Sequence, residues 1–220
     1  MTTATDVRIV NATREHIPFV AWVVNSATRS HLPIGMWDLV VGKDEPEVLR
    51  YLEVFAETEQ KHWGSYELFQ IAEVDGVPAA GMCGFFEQDL PAMNMIAGAM
   101  ETNPLAGLAP DEFAAGWERA KSIVAISELK HEPGAWVVEH VACKPEFRRR
   151  GLVERLIHET IARGRERRAT FADIGVLIEN DPAQRLYEKC GFEVVQEVRD
   201  AEFERVYGCP GARQMRQRLE

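Results

Sequence analysis

Residues 139–153 read E-H-V-A-C-K-P-E-F-R-R-R-G-L-V, from Glu139 to Val153. An apolar, β-rich run predicted over Ala135–Cys143 ends there, and Pro145 turns the chain. Three arginines, Arg148, Arg149 and Arg150, precede Gly151. A helix is predicted over Arg150–Arg168 with Leu152, Leu156, Ile157 and Ile161 on its inner face. A strand that feeds a helix N-terminus through a glycine-containing loop is a phosphate cradle. Orphan N–H groups point outward, the helix dipole adds positive charge, and glycine admits close approach. Adjacent arginines can pair with phosphate oxygens. Arg148, Arg149, Arg150, Gly151, Leu152 and Val153 are therefore the candidate phosphate-binding residues of this stretch. Neither the P-loop pattern nor the dinucleotide fingerprint is present.

Outward from this point the pattern alternates strands and helices. Upstream, Val7–Val10 reads as a strand. A helix over Thr13–Ser26 follows, with Ile17, Val20, Ala21 and Val24 in register and Pro18 favouring a start nearer His16. A second helix after Asp44 carries Val48, Tyr51, Leu52 and Phe55 on one stripe. Glu67–Val74 and Val77–Phe86 are two strands joined by Asp75-Gly76, a strong hairpin signal. At Glu87 an excursion begins. Met93–Met100 is read as helical, and Pro110 opens a helix to Ser127 with Phe113, Trp117, Ala120 and Val124 on one side. Downstream, Ile174–Ile178 is a buried strand, Pro182–Lys189 a short helix capped by Asn180 or Asp181, and Phe192–Val198 and Gln214–Leu219 the last strands. The expected class is α/β (α+β): a mixed, mostly antiparallel sheet of six to seven strands flanked by helices. One domain over 1–220 is expected, with a helical insertion over 87–133 between the third and fourth strands.

Composition narrows the function. A chain of 220 residues with formal net charge −10 lacks the basic footprint of a nucleic-acid binder. No stretch reaches the length of a membrane span, and Met1–Val7 lacks the apolar core of a secretion signal. Four scattered cysteines without a C-x-x-C pair fit free thiols in a reducing cytoplasm, with no zinc or other metal site expected. Charge is nonetheless uneven: Arg148–Arg168 holds eight arginines and three glutamates, against either a solvated helix face or an anionic ligand.

A second stretch, Asn180–Phe192, reads N-D-P-A-Q-R-L-Y-E-K-C-G-F. Taken together, the two stretches resemble the GNAT family of N-acetyltransferases. The family's pyrophosphate loop, (Arg/Gln)-x-x-Gly-x-(Gly/Ala), is matched by Arg148 and Gly151, with Val153 departing from the small residue. Its later Asn-x-x-Ala-x-x-x-Tyr-x-x-x-Gly-Phe signature is matched by Asn180, Ala183, Tyr187, Gly191 and Phe192. The resemblance is firm over Trp136–Val198 and does not cover Glu87–Pro133. It implies acetyl-CoA (coenzyme A) as cosubstrate, without a metal. Two splayed strands would admit the pantetheine arm, and N–H groups around Val141–Cys143 would hold the thioester carbonyl. An amine acceptor would attack directly through a tetrahedral intermediate.

In that scheme Tyr187 is the general acid for the leaving thiolate, or else a core tyrosine. Asn180 and Ala183 are cofactor contacts, with a helix cap as the other role for Asn180. An ammonium with a pKa of about 10 must lose a proton, so a base is required. Glu139 is preferred over His140. Alternation places the two on opposite faces, and both reach one cleft only across a bulge. Cys143 as an acyl carrier lacks a visible His/Asp partner and reads as a buried thiol. The alternatives are a non-catalytic acyl-CoA-binding module and an interaction protein, in which Met93–Ser127 forms a partner or homodimer surface. A small-molecule or peptide amine is the expected partner.

Overall fold

In the computed structural model, which describes residues 6–219 without the side chains of 127 and 128, seven strands form one sheet in the order β1-β2-β3-β4-β5-β7-β6. Residues 1–5 of the Met1–Val7 segment lie outside the described residues. The strands are β1 (Val7–Asn11), β2 (Phe69–Val74), β3 (Val77–Phe86), β4 (Ala135–Cys143), β5 (Phe171–Leu177), β6 (Glu193–Arg199) and β7 (Gly211–Arg218). Every neighbouring pair is antiparallel except β4 with β5. This is the expected mixed, mostly antiparallel class. The β2–β3 turn falls on Asp75-Gly76, whose φ values of 51° and 78° are the left-handed pair a two-residue turn needs.

One layer of helices covers the first face: α1 (Ile17–Arg29), α2 (Met36–Val41) and α3 (Glu45–Ala56). Pro18 lies in the first turn of α1, after a three-residue turn over Arg14–His16, so the start near His16 holds. Asp44 caps α3 by accepting from the Glu47 N–H at 3.1 Å, and Val48, Tyr51, Leu52 and Phe55 are all buried. The short α2 has no counterpart in the sequence reading.

Between β3 and β4 run α4 (Met93–Ala106) and α5 (Pro110–Ala120), then a 3-10 segment over Lys121–Glu128. Helix α4 extends past Met100 and through Pro104, whose ring removes the N–H that would bond the Met100 carbonyl, and ends at Gly107 in the left-handed region. The Tyr51 hydroxyl donates to Asn103 Oδ1 at 2.9 Å and fastens α3 to α4. On α5, Gly116 lies so close to Val40 of α2 that a Cβ would sit 1.8 Å from the Val40 carbonyl oxygen. The change to three residues per turn after Ala120 breaks the expected stripe and leaves Val124 52% exposed.

The other face carries α6 (Leu152–Glu166) and α7 (Asp181–Lys189), over a cluster that includes Trp136, Val138, Leu156, Ile157, Ile161 and Phe192. Helix α6 is two residues shorter at each end than the Arg150–Arg168 reading. The helix α8 (Ala201–Tyr207), also unforeseen, sets Phe203 and Tyr207 against Ile178 and Cys209.

Candidate active site

Three elements converge where β4 leaves β5. The parallel pairing runs only from Ala135 with Phe171 to Val138 with Ile174. Beyond it β4 keeps β3 as its partner, while Gly175–Leu177 of β5 pair with β7 alone. The splay expected between these strands is present. The backbone of Glu139–Cys143 on its β5 side is therefore open to a ligand.

The same stretch of β4 is bulged. Gly81 pairs with Ala142 and Cys83 with Glu139, so Met82 alone faces His140 and Val141. His140 takes up the extra residue in the left-handed region, at φ 53°, a strained choice for a non-glycine residue. The consequence is the one alternation required. Glu139 shares the face of its partner Cys83, and His140 stacks on Phe69 with ring centroids 6.0 Å apart. Cys83 and Phe69 both belong to the core beneath α1–α3, so the two side chains point to one face.

Their chemistry differs. Glu139 is partly accessible, and burial raises its carboxyl above the usual range, opposed by the charge of His131 and by the His140 N–H. His140 is 7% exposed, and burial pushes its imidazole down to about 4; its Nε2 has no hydrogen-bond partner among the described residues. Glu139 is the better base of the two near neutral pH. Tyr187, on α7, is buried, with its ring centroid 6.4 Å from that of Phe192. Burial first, and then the charges of Glu139 and Cys190, hold the phenol above its ordinary value, so it stays protonated.

Below the splay, the loop into α6 turns sharply, with Arg149 at φ 61° and Gly151 at φ 73°. Nothing lies within 4 Å of where a Gly151 Cβ would be, so the helix N-terminus is open. Arg148 donates from Nε to the Cys143 carbonyl at 3.2 Å, and Arg150 donates to the Glu146 carbonyl at 3.2 Å while covering the Phe147 ring. Arg148, Arg149 and Arg150 are exposed, and none forms an ion pair among the described residues. Leu152 is buried and Val153 half-buried against the α6 cluster. These groups fit a pyrophosphate: free N–H donors, a dipole end and uncommitted guanidinium charge.

Asn180 both caps α7, accepting from Ala183 N–H at 3.3 Å, and donates to Ser30 Oγ at 2.7 Å. Cys143 is half-buried, and burial raises its thiol, so a thiolate carrier finds no support. Two surface hollows lie elsewhere. One of about 350 Å³, lined by Phe86, Glu87, Pro91 and Glu132, sits at the Ala135 end of β4, and one of about 250 Å³ lies over Trp136 and Arg167. Neither coincides with the splay, which is an open cleft between strands. Among the described residues no cluster of three or more metal-ligating side chains occurs, and no helix is long and apolar enough to cross a membrane.

The sequence reading missed His131, Asp173 and Ser30. His131 lies in a loop with no periodicity, whereas Asp173, an acid inside the apolar run of β5, carried a signal that could have been used. Ser30 likewise meets Asn180 only through the fold.

Comparison with known proteins places these features in context. Residues 42–192 match the model of the acetyltransferase (GNAT) family. Among solved structures, an acetyltransferase superposes with TM-score 0.70 at 18% identity, covering 97% of this chain and all of the other. An N-acetyltransferase from Staphylococcus aureus Mu50 gives 0.66 at 16% identity, covering 95% of this chain and 99% of that one. An agmatine N-acetyltransferase gives 0.56 at 16% identity, covering 97% and 100%. At such identities the likeness is one of fold. No curated protein sequence matches the chain.

Proposed function

The chain belongs to the acetyltransferase (GNAT) family, and from that premise we propose that it transfers an acetyl group from acetyl-coenzyme A to a primary amine by direct attack, in the cytoplasm. The observation that carries the reading is that the β4–β5 splay, the open N-terminus of α6 and the buried Tyr187 adjoin one cluster of side chains. Acetyl-CoA supplies the activated acyl group as a thioester. Gly151, Leu152 and Val153 offer N–H donors to its pyrophosphate, with Arg148, Arg149 and Arg150 adding charge. Val141 and Cys143 offer backbone donors on the open side of β4 for the carbonyl oxygen, with Ala142 between them turned to β3. Asn180 and Ala183 border the pantetheine path.

Glu139 takes the proton from the acceptor ammonium, whose ordinary pKa of about 10 leaves it charged at neutral pH. The Tyr187 hydroxyl donates its proton to the departing thiolate. Its elevated phenol value keeps the hydroxyl protonated throughout the physiological range, so the proton is in place when the thiolate leaves. The acceptor is a small molecule or peptide with a primary amine, which an acidic protein attracts.

A thermal-shift titration tests the cofactor. With ligand at about 100 Kd, linkage gives about 2.7 kcal/mol of stabilisation, a rise of about 5–10 °C for a domain of this size. The rise should be confined to acetyl-CoA and CoA and be reduced in Gly151→Ala, where a Cβ at φ 73° strains the loop. Equal shifts with ATP or NAD, or none with any of them, would overturn the proposal.

A further inference from the structure

Helix α4 has small and polar residues on its inner face and large apolar ones facing solvent. The inner face holds Gly98, Ala99, Thr102 and Asn103, all buried. Gly98 lies so close to the His62 ring that no Cβ would fit, and Asn103 holds the Tyr51 hydroxyl. Outward, Met93 is 67% exposed, Met100 66% and Ile96 40%, with Ala97 and Pro104 also exposed in the same row. These five positions recur at helical spacing and form one continuous apolar seam. Such a seam, on a helix whose other face is already packed, marks a contact surface.

We propose that α4 is the interface of a homodimer, in which two copies lay their seams together antiparallel about a twofold axis between Ile96 and Ala97. A twofold contact needs a surface that complements itself, and this row does. About that axis Met93 meets Met100 of the partner subunit. The Ile96 side chain enters the gap left by the partner's Ala97. The proposal is independent of the reaction described above.

Charge selects both the occupant and its direction. Residues 87–112 contain five acids and no lysine or arginine, in a chain of net charge −10. An anionic lipid surface is therefore repelled, because helices that lie on one carry basic residues beside the apolar face. The seam itself is uncharged, so two acidic copies can meet there without bringing like charges into contact. The one acid within α4, Glu101, is held to the side, where its carboxylate accepts from the Glu59 N–H at 2.7 Å and the Gln60 N–H at 3.1 Å. In the antiparallel register Glu101 falls beside the partner's Ala92, and Asp89 beside the partner's Pro104. A parallel pair would instead set Glu101 against Glu101 of the partner subunit. A seam of this length buries less than about 1,200 Å² in total, the range of weak pairs, so the dimer forms reversibly.

Sedimentation velocity of the whole protein, from micromolar to millimolar concentration, tests the proposal. The average mass should rise from monomer to dimer. Met93→Lys and Met100→Glu should each weaken association by about tenfold or more, the loss of one hot-spot side chain. Both changes in one chain set a lysine opposite a glutamate twice across the axis, so that variant should associate more tightly than either single one. All the substituted positions are exposed, so thermal midpoints should hold and separate a lost contact from a lost fold. A monomer at every concentration overturns the proposal, including one that binds anionic vesicles or a different protein instead. Wild-type association in both single variants places the interface elsewhere and overturns it too. A double variant no tighter than the single ones overturns the antiparallel pairing on which it rests.

Discussion

Asn180 binds Ser30 across the domain: its Nδ2 donates to the serine Oγ at 2.7 Å while its Oδ1 caps α7. One amide thus joins the end of α1, on one face of the sheet, to the start of the helix that carries Tyr187. Asn180→Ala should lower stability by about 1–2 kcal/mol, with about 1 from the cap and about 1 from the bridging bond. Asn180→Asp keeps the acceptor and loses the donor, so urea denaturation should place it between the two. Equal losses in both variants would show that the cap contributes nothing. The amide retains a second hydrogen and lone pairs, so capping does not preclude a cofactor contact.

Tyr187→Phe separates turnover from binding. Removing a general acid should lower kcat by about 10²–10⁴-fold. Affinity for CoA, read by calorimetry, should change by less than about threefold, because the ring remains packed near Phe192. A variant with unchanged kcat would return Tyr187 to the core and favour a binding module.

The elements that could be read in advance are those whose signals are local. Asp75-Gly76 fixes the β2–β3 turn by itself, and β4 falls on Ala135–Cys143 because Pro133-Gly134 and Pro145 bound it. Gly151 and Tyr187, proposed for the cofactor side, could be named for the same reason, since each lies within a contiguous motif. Met36–Val41 and Ala201–Tyr207 are each under two full turns, too short for a 3.6-residue period to emerge. A bulge inverts alternation at a position that only pairing with β3 decides, so His140 gave a condition and not an answer. Other contacts are non-local. His131 and Asp173, which approach to 3.4 Å, come from segments about forty residues apart, and only the fold brings them together.

Gly116→Ala tests whether the segment between β3 and β4 folds as part of the domain. A Cβ there would lie 1.8 Å from the Val40 carbonyl oxygen, against backbone that cannot rotate away. Helix α5 would have to lift from α2, at a cost of about 1–3 kcal/mol. Ala115→Gly, at the exposed neighbouring position, should cost only about 1 kcal/mol, from helix propensity. Denaturation should remain a single transition in both. If Gly116→Ala costs no more than its neighbour, α5 is only loosely attached to α2.

Acid should destabilise the protein through two buried histidines well before carboxylates protonate. His62 and His140 are both pushed down to about 4 by burial. His62 stacks on Phe55 at 3.7 Å between centroids, and its Nδ1 accepts from the Gly64 N–H at 3.0 Å, a bond that a proton on Nδ1 would break. His140 has an unpaired Nε2 in an apolar setting, where a charge has no partner. The folded values lie below the unfolded value of about 6.5, so the unfolded chain takes up these protons first. Stability is therefore complete above about pH 6.5 and declines as pH falls towards 4. The loss is up to about 3 kcal/mol for each histidine, at 1.36 kcal/mol per unit. Urea midpoints between pH 8 and 4 should show a plateau followed by this decline, and His140→Phe should flatten its share of the slope. A midpoint that stays constant from pH 7 to 5 would mean that both rings reach water, and with it the bulged segment of β4 on which Glu139 depends.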